Sequence, residues 1–352
     1  MFTALAVAIL LQAAPQASEA FPFDATARVR EAIEVVRPVA YRSEHVDWAA
    51  MEAEMLQYAD GARDTADMLP AYQTLVFGLG DGHSFQQPPA EATAAWRERH
   101  GDRRLRPDLP PRPHSSSSFA SRSAVEHQDV LLREGRSARL VVAPAFAGGG
   151  ARGEAYADHV FNAVADAPAG TCGYIVDLRG NGGGNVWPML AGLSGLLGDS
   201  PQGLFENADG TRTTYARLEN GRAFMTTPEE EEGDGLIASA PSWRPLPHLS
   251  AAPVAVLVDG GTASSGEGVA LAFVARTNTR SFGARTYGVA SANEGYMLSD
   301  GVNLVITVAM MVDPAGAIHP SGYHPDIEVD ADGTAAVEAA QEWLARLPQC
   351  GG

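Results

Sequence analysis

Lysine is absent from this chain, so all 25 basic residues are arginines. The absence excludes a P-loop nucleotide site, because the phosphates in such a site are held by a lysine. It also excludes a lysine as the base that activates a nucleophilic serine, and histidine is the usual side chain for that task. Any serine-based chemistry should therefore use one of the nine histidines.

Positive charge is scarce as well, and the formal net charge is −18. Proteins that bind nucleic acid or anionic lipid do so through clustered cations. The charge balance therefore argues against both as partners. An acidic surface of this kind also simply favours solubility.

Cysteine is limited to Cys172 and Cys350. Neither has a histidine or a second cysteine at ligand spacing, so we predict no metal site. An exported protein could join the two in a disulfide, and two buried free thiols account for the same count. The sequence leaves both alternatives open.

Long apolar runs are missing too, and none reaches the roughly 20 residues that a transmembrane helix needs. A short apolar run from Ala4 to Leu11 is followed by small residues up to Ala20, as in a signal peptide, although the usual positive charge before the run is lacking. We predict that residues 1–20 are a signal peptide and that the protein is exported, to the periplasm or the medium. The alternative is an N-terminal helix retained in a cytosolic protein.

The rest of the chain divides by composition into three segments. Residues 21–106 are predicted to be a helical domain, because apolar side chains recur at helical spacing from Thr26 to about Leu79. Residues 107–135 are rich in proline and serine and predict a linker. In residues 136–349 apolar strands alternate with helices, which predicts an α/β domain. A hairpin in this domain is expected to turn at Asn220-Gly221.

A glycine-rich turn reads Asp-Gly-Gly-Thr-Ala-Ser-Ser-Gly-Glu at residues 259–267, between an expected strand and an expected helix. A serine at a helix N-terminus lies beside N–H groups that can stabilise an oxyanion, so Ser264 is a candidate nucleophile. Ser264 and Glu267 also fit a capping box, which is a purely structural role. The glycines around them favour close approach by a ligand.

A second turn reads Asp-Leu-Arg-Gly-Asn-Gly-Gly-Gly-Asn at residues 177–185. Its glycine spacing does not match the dinucleotide-binding pattern. We predict an oxyanion-binding loop instead. Its N–H donors would be Gly182, Gly183 and Gly184, together with Ser265.

Four ordered motifs resemble the C-terminal processing, or tail-specific, serine peptidases. They are the two turns above, Phe-Gly-Ala-Arg-Thr-Tyr-Gly at residues 282–288, and Gly-Tyr-His-Pro-Asp at 322–326. The resemblance implies a ClpP/crotonase-like α/β core with an N-terminal helical region, Ser264 as nucleophile, a polypeptide substrate and no cofactor. Many members carry a PDZ domain, and the roughly 50 residues between Phe85 and Ala138 are too few for one.

The sequence departs from the better-known members at Val289, where they have a catalytic lysine. It is similar instead to the tricorn-protease-like branch, whose histidine lies in a motif resembling Gly-Asp-Gly-His at residues 80–83. This resemblance implies His83 as the general base, with His319 and His324 as competitors that more simply shape a turn. Glu294 is the candidate third member, to orient the base or receive a substrate amine.

These features predict a serine peptidase that hydrolyses peptide bonds in exported or unfolded polypeptides. Two other functions remain open. One is a non-catalytic binding protein of the same fold, and the other is a hydrolase of small esters or acyl groups that uses the same serine.

Overall fold

A computed structural model describes residues 23–110, 122–132, 135–199, 201–225, 235–330 and 333–351. The expected signal peptide and part of the expected linker lie outside the described residues. Among the residues that are described, no helix is both long and apolar enough to cross a membrane.

The N-terminal region is helical, as predicted. Its helices are α1 (Ala25–Val36), α2 (Trp48–Ala59), α3 (Thr65–Gly78) and α4 (Ala90–His100). An aspartate caps the N-terminus of each of the first three by accepting a backbone N–H. The apolar faces of α1, α2 and α3 pack against residues from the C-terminal half of the chain. These residues are Leu298, Val302, Leu304 and Ile306. The helices therefore share a core with the rest of the protein.

In the described part of the chain the strands form two sheets. The first is antiparallel, with the order β1 (Phe85–Gln87), β12 (Asn303–Val312), β5 (Pro201–Asn207), β6 (Arg212–Glu219), β7 (Arg222–Phe224) and β8 (Leu236–Ser239), and β11 (Ser291–Met297) also pairs with β12. The expected hairpin is confirmed as β6 and β7. Its turn residues Asn220 and Gly221 both have positive φ, 51° and 73°, as a two-residue turn of this kind requires.

The second sheet runs in the order β13 (Ile327–Glu328), β10 (Thr279–Gly283), β9 (Val254–Val258), β4 (Thr171–Asp177), β3 (Ser137–Val142) and β2 (Glu126–Leu131). All neighbours are parallel except β2, which pairs antiparallel with β3. One apolar core joins this sheet to α5 (Gly150–Ala165), α6 (Val186–Leu197) and α7 (Ser265–Ala272), and another joins it to α8 (Ala335–Ala345). This is the predicted α/β architecture. The expected linker was too long, because its residues 126–131 form β2.

The two cysteines form a disulfide between Cys172, in β4, and Cys350, near the C-terminus. The bond spans 178 positions of sequence. It ties the tail after α8 to the middle of the parallel sheet.

Candidate active site

A cleft of about 560 Å³ lies where the antiparallel sheet meets the turns that follow β4 and β9. It brings together residues that are distant in the sequence. Six of the seven candidate site residues line it: His83, Gly182, Gly184, Ser264, Ser265 and Glu294. The seventh, Gly183, packs directly behind Ser264.

Ser264 occupies the turn between β9 and α7, and its side chain is half-buried at the cleft. Its backbone has φ 53° and ψ −121°, a conformation that residues other than glycine rarely adopt. Asp259 supports the turn, since its Oδ1 accepts the N–H groups of Gly261 and of Gly180 in the other turn, each at 2.9 Å. The two glycine-rich turns are thereby joined.

Glu267 completes the expected capping box and also contacts a second segment of the chain. Its Oε2 accepts the N–H groups of Ser264 at 3.0 Å and Val289 at 2.8 Å. Its Oε1 accepts the Thr286 hydroxyl at 2.6 Å and the Gly288 N–H at 2.9 Å. Complete burial raises the pKa of this carboxyl, and the four hydrogen bonds oppose the rise. Glu267 thus fixes the turn of Ser264 to residues 286–289.

The glycine loop after β4 touches the serine at Gly183. A Cβ at this position would lie 2.8 Å from the Cβ of Ser264 and 2.9 Å from the N of Ser265. The N–H of Gly183 donates to Asn181 Oδ1 at 3.0 Å. The expected role of this N–H as an oxyanion donor stays a prediction. Gly183 sets the spacing between the loop and the serine.

Two other expected donors, the N–H groups of Ser265 and Gly182, are well placed for an oxyanion. Ser265 is the first residue of α7, and N–H groups in the first turn of a helix have no intrahelical acceptor. Gly182 borders open space, since a Cβ there would meet no atom within 4 Å. The hydroxyl of Ser265 donates to the Gly184 carbonyl at 2.8 Å and holds the loop against the helix.

His83 lies in a loop that Asp81 organises. Asp81 Oδ1 accepts the N–H groups of His83 at 2.8 Å and Ser84 at 2.7 Å. The imidazole Nδ1 lies 2.7 Å from Ser291 Oγ, and Asn293 Nδ2 donates to the His83 carbonyl at 3.2 Å. The loop is therefore fastened to β11 beside the cleft.

Glu294 lines the cleft, and its expected role, to orient the base or to receive a substrate amine, stays a prediction. It lies on β11 with an exposed side chain, and the Tyr296 hydroxyl donates to its carboxylate at 2.8 Å. A group that does contact the imidazole is the Ser291 hydroxyl, three positions earlier. The sequence did not single out Ser291, although it stands in the same short segment.

The two competing histidines lie elsewhere in the structure. His319 Nε2 is 2.8 Å from Asp313 Oδ2, and His324 Nδ1 is 3.1 Å from Glu328 Oε1. Neither is among the residues that line the cleft.

The remaining walls of the cleft are largely apolar. The residues concerned are Phe85, Val186, Trp187, Phe205, Met225, Val305 and Met311. Two of these walls are fixed by Tyr215, whose carbonyl accepts the Trp187 indole N–H at 2.7 Å and whose ring stacks on Phe205 at 4.7 Å. The cleft can therefore receive an apolar side chain beside the serine.

The structure thus has a parallel sheet with a serine at a strained turn, and this turn packs against a glycine loop. Residues 141–329, more than half of the chain, match the model of peptidase family S41. The chain belongs to that family, which confirms the resemblance to C-terminal processing peptidases. Assignment to the tricorn-like branch stays a prediction.

Two relatives by sequence differ in how much of them the chain covers. A nisin-resistance protein from Lactococcus lactis subsp. lactis is 26% identical over 313 residues, which is 88% of this chain and 85% of that protein. The chloroplastic C-terminal processing peptidase of Tetradesmus obliquus is 29% identical over 170 residues, 46% of this chain and 30% of the peptidase.

Two solved structures share the fold over nearly the whole chain. A lipoprotein from Streptococcus agalactiae superposes with a TM-score of 0.65 and 20% identity, covering 97% of this chain and 100% of the other. The photosystem II D1 C-terminal processing protease superposes with a TM-score of 0.56 and 18% identity, covering 92% of this chain and 97% of the protease. Similarity at this level of identity shows the fold alone, and it confirms the predicted α/β class.

Proposed function

We propose that this protein is a serine peptidase with Ser264 as nucleophile and His83 as general base. The observation that carries the proposal is that one cleft is lined by a histidine from the N-terminal region, a serine at a helix N-terminus and the glycine loop. A capping role for Ser264 alone does not account for this assembly.

In the proposed reaction Ser264 Oγ attacks the peptide carbonyl carbon while His83 accepts the hydroxyl proton. The N–H groups of Gly182 and Ser265 stabilise the negative oxygen of the tetrahedral intermediate. His83 then gives the proton to the leaving amine, the C–N bond breaks, and the amine departs while the acyl group stays on Ser264 as an ester. A water molecule then attacks the acyl carbonyl carbon while His83 again accepts the proton. The ester bond to Ser264 breaks, the serine takes the proton back, and the new carboxyl terminus is free.

The proposed substrate is a polypeptide that places an apolar side chain in the cleft, in line with its apolar walls. The proposed site of action is outside the cytoplasm. A disulfide is typical of oxidising compartments, and the first 20 residues have the composition of a signal peptide. Intact mass of the protein recovered from cells tests export, because retention of residues 1–20 in the functional protein would contradict it.

The relative named for nisin resistance favours a second candidate with the same chemistry, the hydrolysis of an antimicrobial peptide. Mass spectrometry after incubation of the protein with nisin, and separately with an unfolded polypeptide, distinguishes the two. The preferred substrate is the one cleaved at the higher kcat/KM.

A fluorophosphonate probe followed by peptide mapping tests the proposal. We expect the label on Ser264 in the unmodified protein, and neither label nor hydrolysis in Ser264→Ala. His83→Ala should lower the rate by about 10²- to 10⁴-fold, the contribution of a general base. Ser250→Ala, at an exposed serine, is the matched control and should behave as the unmodified protein.

Retained peptide hydrolysis in Ser264→Ala would rule out this nucleophile. Hydrolysis of esters without any hydrolysis of peptides would favour the small-ester enzyme. Peptide binding with no labelling and no turnover would favour the non-catalytic binding protein.

A further inference from the structure

The contact between His83 and Ser291 joins two distant parts of the chain inside the protein. Ser291 is the first residue of β11 and is only 4% exposed. Its Oγ lies 2.7 Å from His83 Nδ1 and 3.4 Å from the Val289 carbonyl, which also accepts the Ser291 N–H at 2.8 Å. The hydroxyl thus stands between an imidazole nitrogen and a backbone oxygen.

The tautomer of His83 decides the direction of the short hydrogen bond to Ser291. When Nδ1 carries the proton, the Ser291 hydroxyl donates its own proton to the Val289 carbonyl at 3.4 Å, because a carbonyl oxygen can only accept. Ser291 Oγ then accepts from Nδ1–H of His83. In a neutral imidazole this leaves Nε2 without a proton, which is the form that a general base requires.

We propose that Ser291 is the positioning residue for His83, in the place that an aspartate takes in a Ser-His-Asp triad. This inference rests on the proposed function, because it assigns a partner to the proposed base. It replaces Glu294 as the third member of the site.

The backbone around Ser291 ties this arrangement to the nucleophile. The Val289 N–H donates to the same Glu267 oxygen that accepts the Ser264 N–H. The peptide segment that receives the Ser291 proton is therefore fixed to the turn that carries Ser264. One buried carboxyl group, that of Glu267, thus links the backbone of Ser264 to the backbone of the segment beside Ser291.

A neutral positioning group has a chemical consequence that a carboxylate would not have. A carboxylate beside Nδ1 stabilises the imidazolium ion and so raises its pKa, whereas a hydroxyl orients the ring without adding charge.

Four variants assayed with an internally quenched peptide test the proposal. Ser291→Ala should lower kcat by about 10- to 100-fold, as is common when the partner that orients a histidine is lost, and leave KM nearly unchanged. Ser291→Thr keeps the hydroxyl and should restore most of the rate. Ser291→Asp should move the acidic limb of the pH–rate profile to higher pH. Ser299→Ala, at an exposed serine of the same hairpin, is the control.

Nitrogen-15 NMR of the histidines gives a readout that does not depend on turnover. We expect Nδ1 of His83 to carry the proton in the unmodified protein and the tautomers to mix in Ser291→Ala. An unchanged kcat and tautomer in Ser291→Ala would overturn the proposal. So would a loss that Ser291→Thr does not restore, together with an unmoved acidic limb in Ser291→Asp. Activity in Ser264→Ala would instead overturn the proposed function.

Discussion

At the level of single residues, Gly183 shows how closely Ser264 is packed. Its φ of 100° lies in a region that L side chains rarely adopt. The absent Cβ would also collide with the backbone and side chain of residues 263–265. Glycine is therefore required here for backbone conformation and for space.

Gly183→Ala should push Ser264 out of position, lower the free energy of unfolding by about 1–3 kcal/mol and abolish turnover. Gly182→Ala is the matched control, because a Cβ there meets nothing within 4 Å. It should change the free energy of unfolding by less than about 0.5 kcal/mol. Urea unfolding and labelling by the serine probe check both variants. Equal effects of the two substitutions would contradict this account of the loop.

Single-residue roles were predictable from sequence only where a local motif carries them. Ser264 and the glycine loop stand in continuous motifs, so the strand, turn and helix around them could be recognised together. Ser291 could not be found this way. Its contact with His83 depends on the pairing of β11 with β12, and a register shift between Ala292 and Asn293 disturbs the alternation that would show which side chains face the cleft.

At the level of elements, α3 and α4 are joined by charged side chains. Asp64 caps α3, and Arg99 of α4 donates to Asp64 Oδ1 at 2.9 Å and to Asp67 Oδ1 at 2.7 Å. The hydrogen bond from Arg99 lowers the pKa of Asp64 from 3.8 to about 2. The charged carboxylate is therefore favoured in the folded protein.

A lowered carboxyl pKa contributes stability above its ordinary value of 3.8, and this contribution is lost as the pH falls towards about 2. Arg99→Gln should thus reduce the melting temperature at neutral pH. The difference in melting temperature between this variant and the unmodified protein should shrink as the pH is lowered from 3.8 to about 2. Arg97→Gln, at an exposed arginine of the same helix, is the control and should show little difference at any pH. Thermal unfolding followed by circular dichroism measures both. A difference for Arg99→Gln that stays constant down to pH 2 would contradict the assignment.

The predictability of each element followed its burial. The first three helices have apolar side chains at helical spacing and were expected. In α4 only Ala92 is buried, so the sequence contains no apolar stripe to recognise. The edge strand β2 is exposed at nearly every position and has no apolar alternation.

At the scale of the whole molecule, β12 contacts both the predicted helical domain and the predicted α/β domain. Leu304 and Ile306 face the helical core, whereas Val305 between them lines the cleft. Successive side chains of β12 face opposite sides. The strand therefore contacts the N-terminal helices on one side and the candidate active site on the other. Composition along the chain could not reveal this, because the contact joins segments that lie far apart in sequence.

The disulfide should contribute substantially to global stability, since it closes a loop of 178 positions. Loss of such a long loop constraint corresponds to about 5 kcal/mol in the chain-entropy model. Cys172→Ala, Cys350→Ala and the double variant should lose similar amounts, because each breaks the same bond. Urea unfolding with and without reductant measures the loss. An unmodified protein whose midpoint is unaffected by reductant would contradict the prediction.

The pairing of β1 with β12 also bears on when the protein becomes active. His83 lies two residues before β1, and Phe85 of β1 pairs with Val305 of β12. Under the proposed mechanism, the base His83 is positioned only after β12 has been synthesised. Most of the chain precedes the end of that strand. A nascent chain carries the histidine early and the serine late, and neither cuts alone. A chain cut short before β12 would therefore contain both His83 and Ser264 and yet lack the strand against which the segment of His83 is held.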